Sequence, residues 1–138
     1  MFDIDHQPLA RTINGVGVTV QVDPLECRLS RAAGWIEMGK LNIAICTDNS
    51  PDREVWHDTL RHEGVHLAQA CYGYVSGTGD FEAIHPEAVN EGSIQYHREL
   101  RLYSEDDHDI EAEAWFIAGL DNPDLVNTMI RHHCSFAF

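Results

Sequence analysis

With 138 residues, the chain has the length of one domain, and 43% hydrophobic residues suffice for an ordinary buried core. Its formal net charge of −14 repels phosphate backbones and anionic membrane surfaces, which excludes nucleic acid and membranes as expected partners. No segment approaches the roughly 18 apolar residues that a membrane-spanning helix needs. We therefore predict a single domain over residues 1–138.

Strand patterns occupy the first third of the chain. Segment 13–22 places four valines at alternate positions, which is typical of one face of a strand. Segments 34–40 and 41–46 predict two further strands, with Gly39 and Lys40 as a tight turn between them. These patterns predict a small antiparallel sheet of about three strands.

Helical patterns occupy the remainder. Ser50 as N-cap and Pro51 at the first helical position predict a helix that ends near Tyr72, with Gly73 as its terminator. Three more helices are predicted, over 86–102, 109–119 and 122–134. The predicted class is α+β, with a mainly helical second half.

The four cysteines, at positions 27, 46, 71 and 134, are widely spaced and form no C-x-x-C pair. The segment Met1 to His6 has neither a basic nor an apolar region of the kind found in signal peptides. We therefore predict buried free thiols and a cytoplasmic location, which is the host cytoplasm if the protein is viral.

The segment 62–66 reads His-Glu-Gly-Val-His, the H-E-x-x-H pattern of zinc hydrolases. Histidines at i and i+4 lie about 40° apart around a helix, so both imidazoles can bind one ion. Glu63 lies about 100° from His62, within reach of a zinc-bound water. On the predicted helix His62 and His66 border an apolar face, as a half-buried metal site requires.

A catalytic zinc needs a third protein ligand. Glu113 is the predicted ligand because it lies within an apolar helical stripe, where an unpaired carboxylate is costly. Glu111, on another face of that helix, and His85, at a turn, are the alternatives. An ion pair of Glu113 with Arg98 or Arg101 is the non-metal interpretation. The stripe around Glu113 consists of Ile110, Phe116, Ile117 and Leu120.

The H-E-x-x-H helix with a later glutamate resembles the gluzincin branch of the zincin metallopeptidases. Segment 111–118 is similar to the E-x-E-A-x-x-x-A helix of the ImmA/IrrE-like peptidases, with Glu113 as the aligned glutamate. The separation between His66 and Glu113 is longer than in that family, and the helix predicted over 86–102 accounts for it. This resemblance implies a small cytoplasmic or phage-associated peptidase that cleaves a regulatory protein.

The resulting hypothesis is a zinc metallopeptidase whose substrate is a protein or peptide. Zn²⁺ is held by His62, His66 and Glu113, and Glu63 moves a proton from the zinc-bound water to the leaving amine. The candidates for stabilising the oxyanion are Tyr74, His85, Tyr96, His97 and Tyr103.

Two alternatives stay open beside this hypothesis. One is a zincin-shaped protein that binds zinc without catalysis and acts through interaction, for example as a viral structural protein. The other is a different zinc-dependent amide hydrolase. Glu63 favours an enzyme, because a purely structural zinc site needs no base.

Overall fold

A three-stranded sheet and six α-helices form the fold in the computed structural model, which describes residues 1–136. The strands are β1 (Thr19–Val22), β2 (Gly34–Glu37) and β3 (Asn42–Ile45). The helices are α1 (Gln7–Gly15), α2 (Arg53–Ser76), α3 (Pro86–Gln95), α4 (His97–Leu100), α5 (His108–Gly119) and α6 (Pro123–His133). The predicted α+β class and the three strands are confirmed.

The sheet is mixed, whereas the sequence predicted antiparallel pairing throughout. Its strand order is β1-β3-β2, with β2 antiparallel and β1 parallel to β3. A short 3₁₀ turn, Met38–Lys40, reverses the chain between β2 and β3, with Leu41 in the left-handed conformation (φ 49°). Because the chain runs through another 3₁₀ segment, Leu25–Leu29, and through β2 before β3 begins, β1 and β3 can lie parallel.

Helix α1 includes the first three residues of segment 13–22, which was predicted to be the first strand. A proline in its first turn favours the helix start, and Leu9 and Ile13 lie four residues apart and are fully buried. Gly17 then turns the chain at φ 95°, so the strand begins only at Thr19. The alternating valines therefore mark a strand only from position 19 onward.

Helix α2 crosses the core and carries the H-E-x-x-H segment. The Asp52 side chain caps its start by accepting a hydrogen bond from the Glu54 N–H (2.9 Å). The helix runs past Gly73 and ends at Gly77, which has φ 93°. Gly73 is small for a packing reason, since a Cβ there would lie 1.6 Å from the Asp80 carbonyl oxygen. The sequence thus predicted this helix but began it too early, with Ser50 rather than Asp52 as N-cap, and also ended it too early.

Two disulfides correct the prediction of free thiols. Cys27 pairs with Cys46 beside the end of β3, and Cys71 of α2 pairs with Cys134 after α6. The Cα atoms of the two pairs are 5.5 and 5.3 Å apart, within the range that a disulfide spans. All four cysteines are buried, as predicted. Pairing depends on how β3 and α6 pack, which sequence spacing does not reveal.

The remaining helices place α5 at the centre of the helical half. The helix predicted over 86–102 is interrupted at Tyr96 and forms α3 and the short α4. Helix α5 lies between α2 and α3, and α3 approaches so closely that a Cβ on Gly92 would meet the Ala112 carbonyl oxygen at 2.0 Å. Over the described range 1–136, no helix is both long and apolar enough to cross a membrane.

Candidate metal centre

Two helices bring three metal-ligating side chains together. His62 and His66 lie on α2, and Glu111 lies on α5 directly opposite. The two histidine Nε2 atoms are 3.1 Å apart, and a Glu111 carboxylate oxygen lies 3.1 Å from Nε2 of His62 and 3.2 Å from Nε2 of His66. All three side chains are less than one-fifth exposed. The cluster therefore lies near the surface but out of bulk water.

These spacings fit a tetrahedral zinc ion. Zinc bonds of about 2.0–2.1 Å place neighbouring ligand atoms about 3.3 Å apart. The three atoms of His62, His66 and Glu111 already lie at nearly that spacing. Two imidazoles and one carboxylate are also the donor types of a catalytic zinc site, which leaves a fourth position open for water.

Gln69 fixes the orientation of His66. Its side-chain oxygen lies 2.7 Å from Nδ1 of His66, so Nδ1 carries a proton, and Nε2 is the nitrogen that can offer a lone pair to a metal ion once it is deprotonated. The Gln69 amide nitrogen donates to the Ile110 carbonyl oxygen (3.0 Å) and to Glu113 (2.8 Å). Because both sides of the amide are bonded, its orientation is determined. The i, i+3 spacing of His66 and Gln69 along α2 is the sequence signal for this pair.

Glu113 does not join the histidines, which corrects the predicted ligand set. Its carboxylate is completely buried and accepts hydrogen bonds from Gln69 and from the backbone N–H groups of Ile84 and His85. Nδ1 of His85 lies 3.3 Å from the same carboxylate, so His85 also belongs to this group. Glu113 therefore anchors the loop before α3. It touches the metal centre only through Gln69.

The sequence favoured Glu113 over Glu111 because Glu113 lies within an apolar stripe, where an unpaired carboxylate is costly. In the fold α5 is covered on two sides, and Ala112, Ala114 and Ala118 are buried while Leu120 of the stripe is 49% exposed. Glu111 projects from α5 towards α2, where its carboxylate meets His62 and His66. A stripe on a helix that is buried on two sides does not identify the functional side.

The charges of the three side chains depend on one another. Burial opposes protonation of His66, but its hydrogen bond to Glu111 and the negative charges of Glu63 and Glu111 outweigh burial and raise its pKa to about 9. Burial also disfavours ionised Glu111, yet its hydrogen bonds to the two histidines lower its pKa to about 2. These pKa shifts favour a negatively charged Glu111 carboxylate facing a positively charged His66.

Glu63 of α2 lies beside the three side chains. Its carboxylate is 7% exposed and lies within 4.8 Å of the ligating atoms of His62 and His66, farther away than Glu111. Burial raises its pKa above the ordinary range of a glutamic acid, although the neighbouring histidines oppose that effect. A carboxyl that takes up a proton readily beside a metal position suits proton transfer.

A cleft runs along the cluster. A cavity of about 450 Å³ and another of about 290 Å³ are both lined by Gly34, His62, Glu63 and Tyr103. The larger one lies between the first half of α2 and the end of α5, and the smaller one lies towards Trp35. The metal position and Glu63 are therefore reached from both directions along the cleft.

The structure separates the five residues that were predicted to stabilise an oxyanion. Tyr103 lines both cavities, and Tyr96 lines the larger one. Tyr74 is exposed and packs against Phe136, while His97 lies exposed on α4. His85 is held at Glu113, as described above. Tyr103 is therefore the tyrosine best placed beside the cluster.

A second group of ligand-type residues lies at the start of the chain. Asp3, His6 and His57 place one ligand-type atom each within 4.8 Å of one another. However, Nη1 of Arg61 lies 2.8 Å from Nε2 of His6, so Nε2 accepts a hydrogen bond and Nδ1 carries the proton towards Asp3. A metal on Nδ1 would put the proton on Nε2, facing the guanidinium. This group is thus a buried hydrogen-bond network, and Asp121 completes it at Arg61 (3.0 Å).

The fold and the cluster together define an α+β protein with a candidate three-ligand metal centre between two helices. Residues 1–135 match the family model described as a domain of unknown function (DUF8637), and the chain belongs to that family. No curated protein and no solved structure matches the chain.

Proposed function

We propose that the protein is a zinc-dependent hydrolase of peptide bonds. His62, His66 and Glu111 are the proposed ligands, and Glu63 is the proposed base. The observation that carries this proposal is the convergence of three ligand atoms within 3.1–3.2 Å, with the His66 tautomer set by Gln69. A hydrogen-bonded carboxamide behind a ligating histidine is the support that metal sites typically use.

Both the zinc ion and the side chain of Glu63 contribute to the proposed reaction. Zinc held by two histidines and a carboxylate acidifies water and polarises a carbonyl oxygen. Glu63 accepts the proton of the attacking water and afterwards donates it to the leaving nitrogen. Its raised pKa supports both roles, because the proton is held between the two steps.

Tyr103 is the proposed hydrogen-bond donor to the developing oxyanion. Its side chain borders both cavities beside His62 and Glu63. Burial and the negative charge of Glu111 raise the pKa of Tyr103, so the phenol stays protonated and can donate.

The proposed substrate is a protein or a peptide. The cleft is open along its length, as an extended chain requires, and both cavities meet at Glu63. The net charge of −14 speaks against nucleic acid as a ligand. A specific regulatory protein, as the peptidase resemblance implies, is the proposed target.

The sequence predicted a cytoplasmic location together with free thiols. The two disulfides argue for an oxidising compartment instead, because reducing conditions keep most cytoplasmic cysteines unpaired. Mass measurement of the protein isolated under thiol-trapping conditions tests this point. Two intact disulfides support an oxidising compartment, and four trapped thiols support the cytoplasm.

Metal analysis combined with peptide cleavage tests the proposed function. We expect about one zinc per chain in the wild type and in Glu63→Gln, and none in His66→Ala. Peptide cleavage should be lost in both variants, while His97→Ala, an exposed histidine on α4, should match the wild type. Zinc binding with full cellular function in Glu63→Gln would favour the non-catalytic alternative. A wild type without stoichiometric metal would overturn the proposal.

A further inference from the structure

The larger cavity has the position and the volume of a side-chain subsite. Its volume of about 450 Å³ lies within the range of small-molecule sites, and it opens directly beside Glu63. Val55 of α2 and Ala118 of α5 form opposite walls, and Ala33 closes the side near β2. A side chain in this cavity would place its own backbone next to the proposed base.

Small residues keep the cavity open. Ala33 and Ala118 face it, and a larger side chain at either position would reduce its volume. Gly34 also lines the cavity, but it is small for another reason: its Cβ would lie 2.4 Å from the Ala44 carbonyl oxygen and 2.6 Å from Thr59. The two alanines are therefore the positions at which the space could be filled.

The lining of the cavity favours one kind of occupant. Trp115 lines the cavity, while its indole N–H is buried beside the Tyr103 hydroxyl and is out of reach of a ligand in the cavity. A large aromatic side chain would pack against the rings of Trp115 and Tyr96. Asp58 on the wall repels acidic side chains.

We propose that this cavity receives a large aromatic side chain of the substrate, tyrosine or phenylalanine, adjacent to the bond that is cleaved. The position of the side chain beside a cleaved bond rests on the proposed function. Binding of the side chain rests on the cavity alone. Alanine fills too little of the space, and glutamate meets Asp58. We expect a preference for tyrosine over alanine of more than about tenfold.

Titration of the zinc-loaded protein with amino-acid amides tests binding without any need for catalysis. The probes are N-acetyl-tyrosine amide, N-acetyl-phenylalanine amide, N-acetyl-alanine amide and N-acetyl-glutamate amide, used in the millimolar range. The readout is the NMR signal of the Trp115 indole N–H, which Trp115→Phe assigns among the three tryptophans. The tyrosine amide should shift this signal and saturate it, whereas the alanine and glutamate amides should not.

Two further variants control for binding elsewhere on the surface. Ala33→Phe should fill the cavity and abolish the shift, while Ile94→Phe adds the same ring at an exposed site on α3 and should leave it unchanged. A signal that the tyrosine amide does not move, or that the alanine amide moves equally, would overturn the proposal. So would an unchanged shift in folded Ala33→Phe.

Cleavage of a peptide set separates this proposal from the function on which it rests. Of peptides that differ only in tyrosine, phenylalanine, alanine or glutamate beside one bond, the two aromatic ones should be cleaved in preference to the other two. Cleavage without any aromatic preference would overturn the subsite and leave the peptidase proposal standing. A Trp115 shift with no cleavage of any peptide would support the subsite and count against the peptidase.

Discussion

The side-chain oxygen of Gln69 lies 2.7 Å from Nδ1 of His66, so one residue of α2 sets the tautomer of another. The same carboxamide donates to Glu113 of α5 at 2.8 Å. The histidine pair is thereby connected to a buried carboxylate that lies outside the proposed ligand set. The proposed ligands come from both helices, and Gln69 links the two by contacting His66 of α2 and Glu113 of α5.

Removal of the Gln69 carboxamide should weaken zinc binding without removing a ligand. In Gln69→Ala we expect the zinc dissociation constant to rise by about 10–100-fold, as for other groups that orient metal-bound histidines. Competition with a chromogenic chelator measures this change. Gln21→Ala, on the exposed side of β1, is the matched control and should bind zinc like the wild type. An unchanged affinity in Gln69→Ala would mean that His66 needs no orienting partner.

The buried His57 should make stability depend on pH. Its ring stacks on His6 at 4.3 Å, and its Nε2 accepts a hydrogen bond from the Asp3 N–H, which protonation would break. Burial lowers the pKa of His57 first, and the charges of His6 and Arg53 add to this effect against those of Asp3 and Glu54.

The direction of the pH effect follows from that lowered pKa. The folded state favours neutral His57, so its contribution is fully present above about pH 6.5, the ordinary pKa of histidine, and is lost as the pH falls through the lower folded-state value. The free energy of unfolding should therefore fall less between pH 7.5 and pH 5 in His57→Phe than in the wild type. His97→Ala should retain the wild-type dependence. An identical loss in His57→Phe would show that other groups cause it.

The two disulfides should contribute unequally to stability. Loop-closure entropy predicts about 4 kcal/mol for Cys71–Cys134, with a sequence separation of 63, and about 3 kcal/mol for Cys27–Cys46, with a separation of 19. Denaturant unfolding of the Cys71→Ala/Cys134→Ala and Cys27→Ala/Cys46→Ala double variants compares them. Equal or reversed losses would mean that local packing, rather than loop length, sets the contribution.

The sequence predicted those parts of the site that depend on one element alone. His62, Glu63 and His66 lie within a single helix, so their spacing determines their relative directions before any tertiary contact forms. Glu111 comes from another helix, and its position depends on how α5 packs between α2 and α3. That packing is a tertiary property, and the polarity of α5 pointed to Glu113 instead.

The fold shows the same division between local and tertiary information. The α6 start was predictable because Asn122 caps its own helix by accepting from the Leu125 N–H. Helix α1 was missed because its apolar residues, Leu9 and Ile13, are few, and the valines that follow suggest a strand. The parallel pairing of β1 and the two cysteine pairs join distant segments, which a local pattern does not encode.

Glu111 and Glu113 differ by two positions, and their removal should have opposite consequences. Glu111→Ala removes a proposed ligand, so zinc should be lost, and it also removes the carboxylate that pairs with His62 and His66 in the zinc-free protein. Glu113→Ala leaves the N–H groups of Ile84 and His85 without their acceptor, which should cost about 2–4 kcal/mol of stability. Zinc should still bind to Glu113→Ala, only more weakly.

Zinc stoichiometry of these two variants, measured by elemental analysis at a temperature where both are folded, is the most direct test of the metal centre. The predicted result is no bound zinc in Glu111→Ala and about one zinc per chain in Glu113→Ala at saturating metal. Full zinc in Glu111→Ala together with none in folded Glu113→Ala would contradict the ligand set of His62, His66 and Glu111.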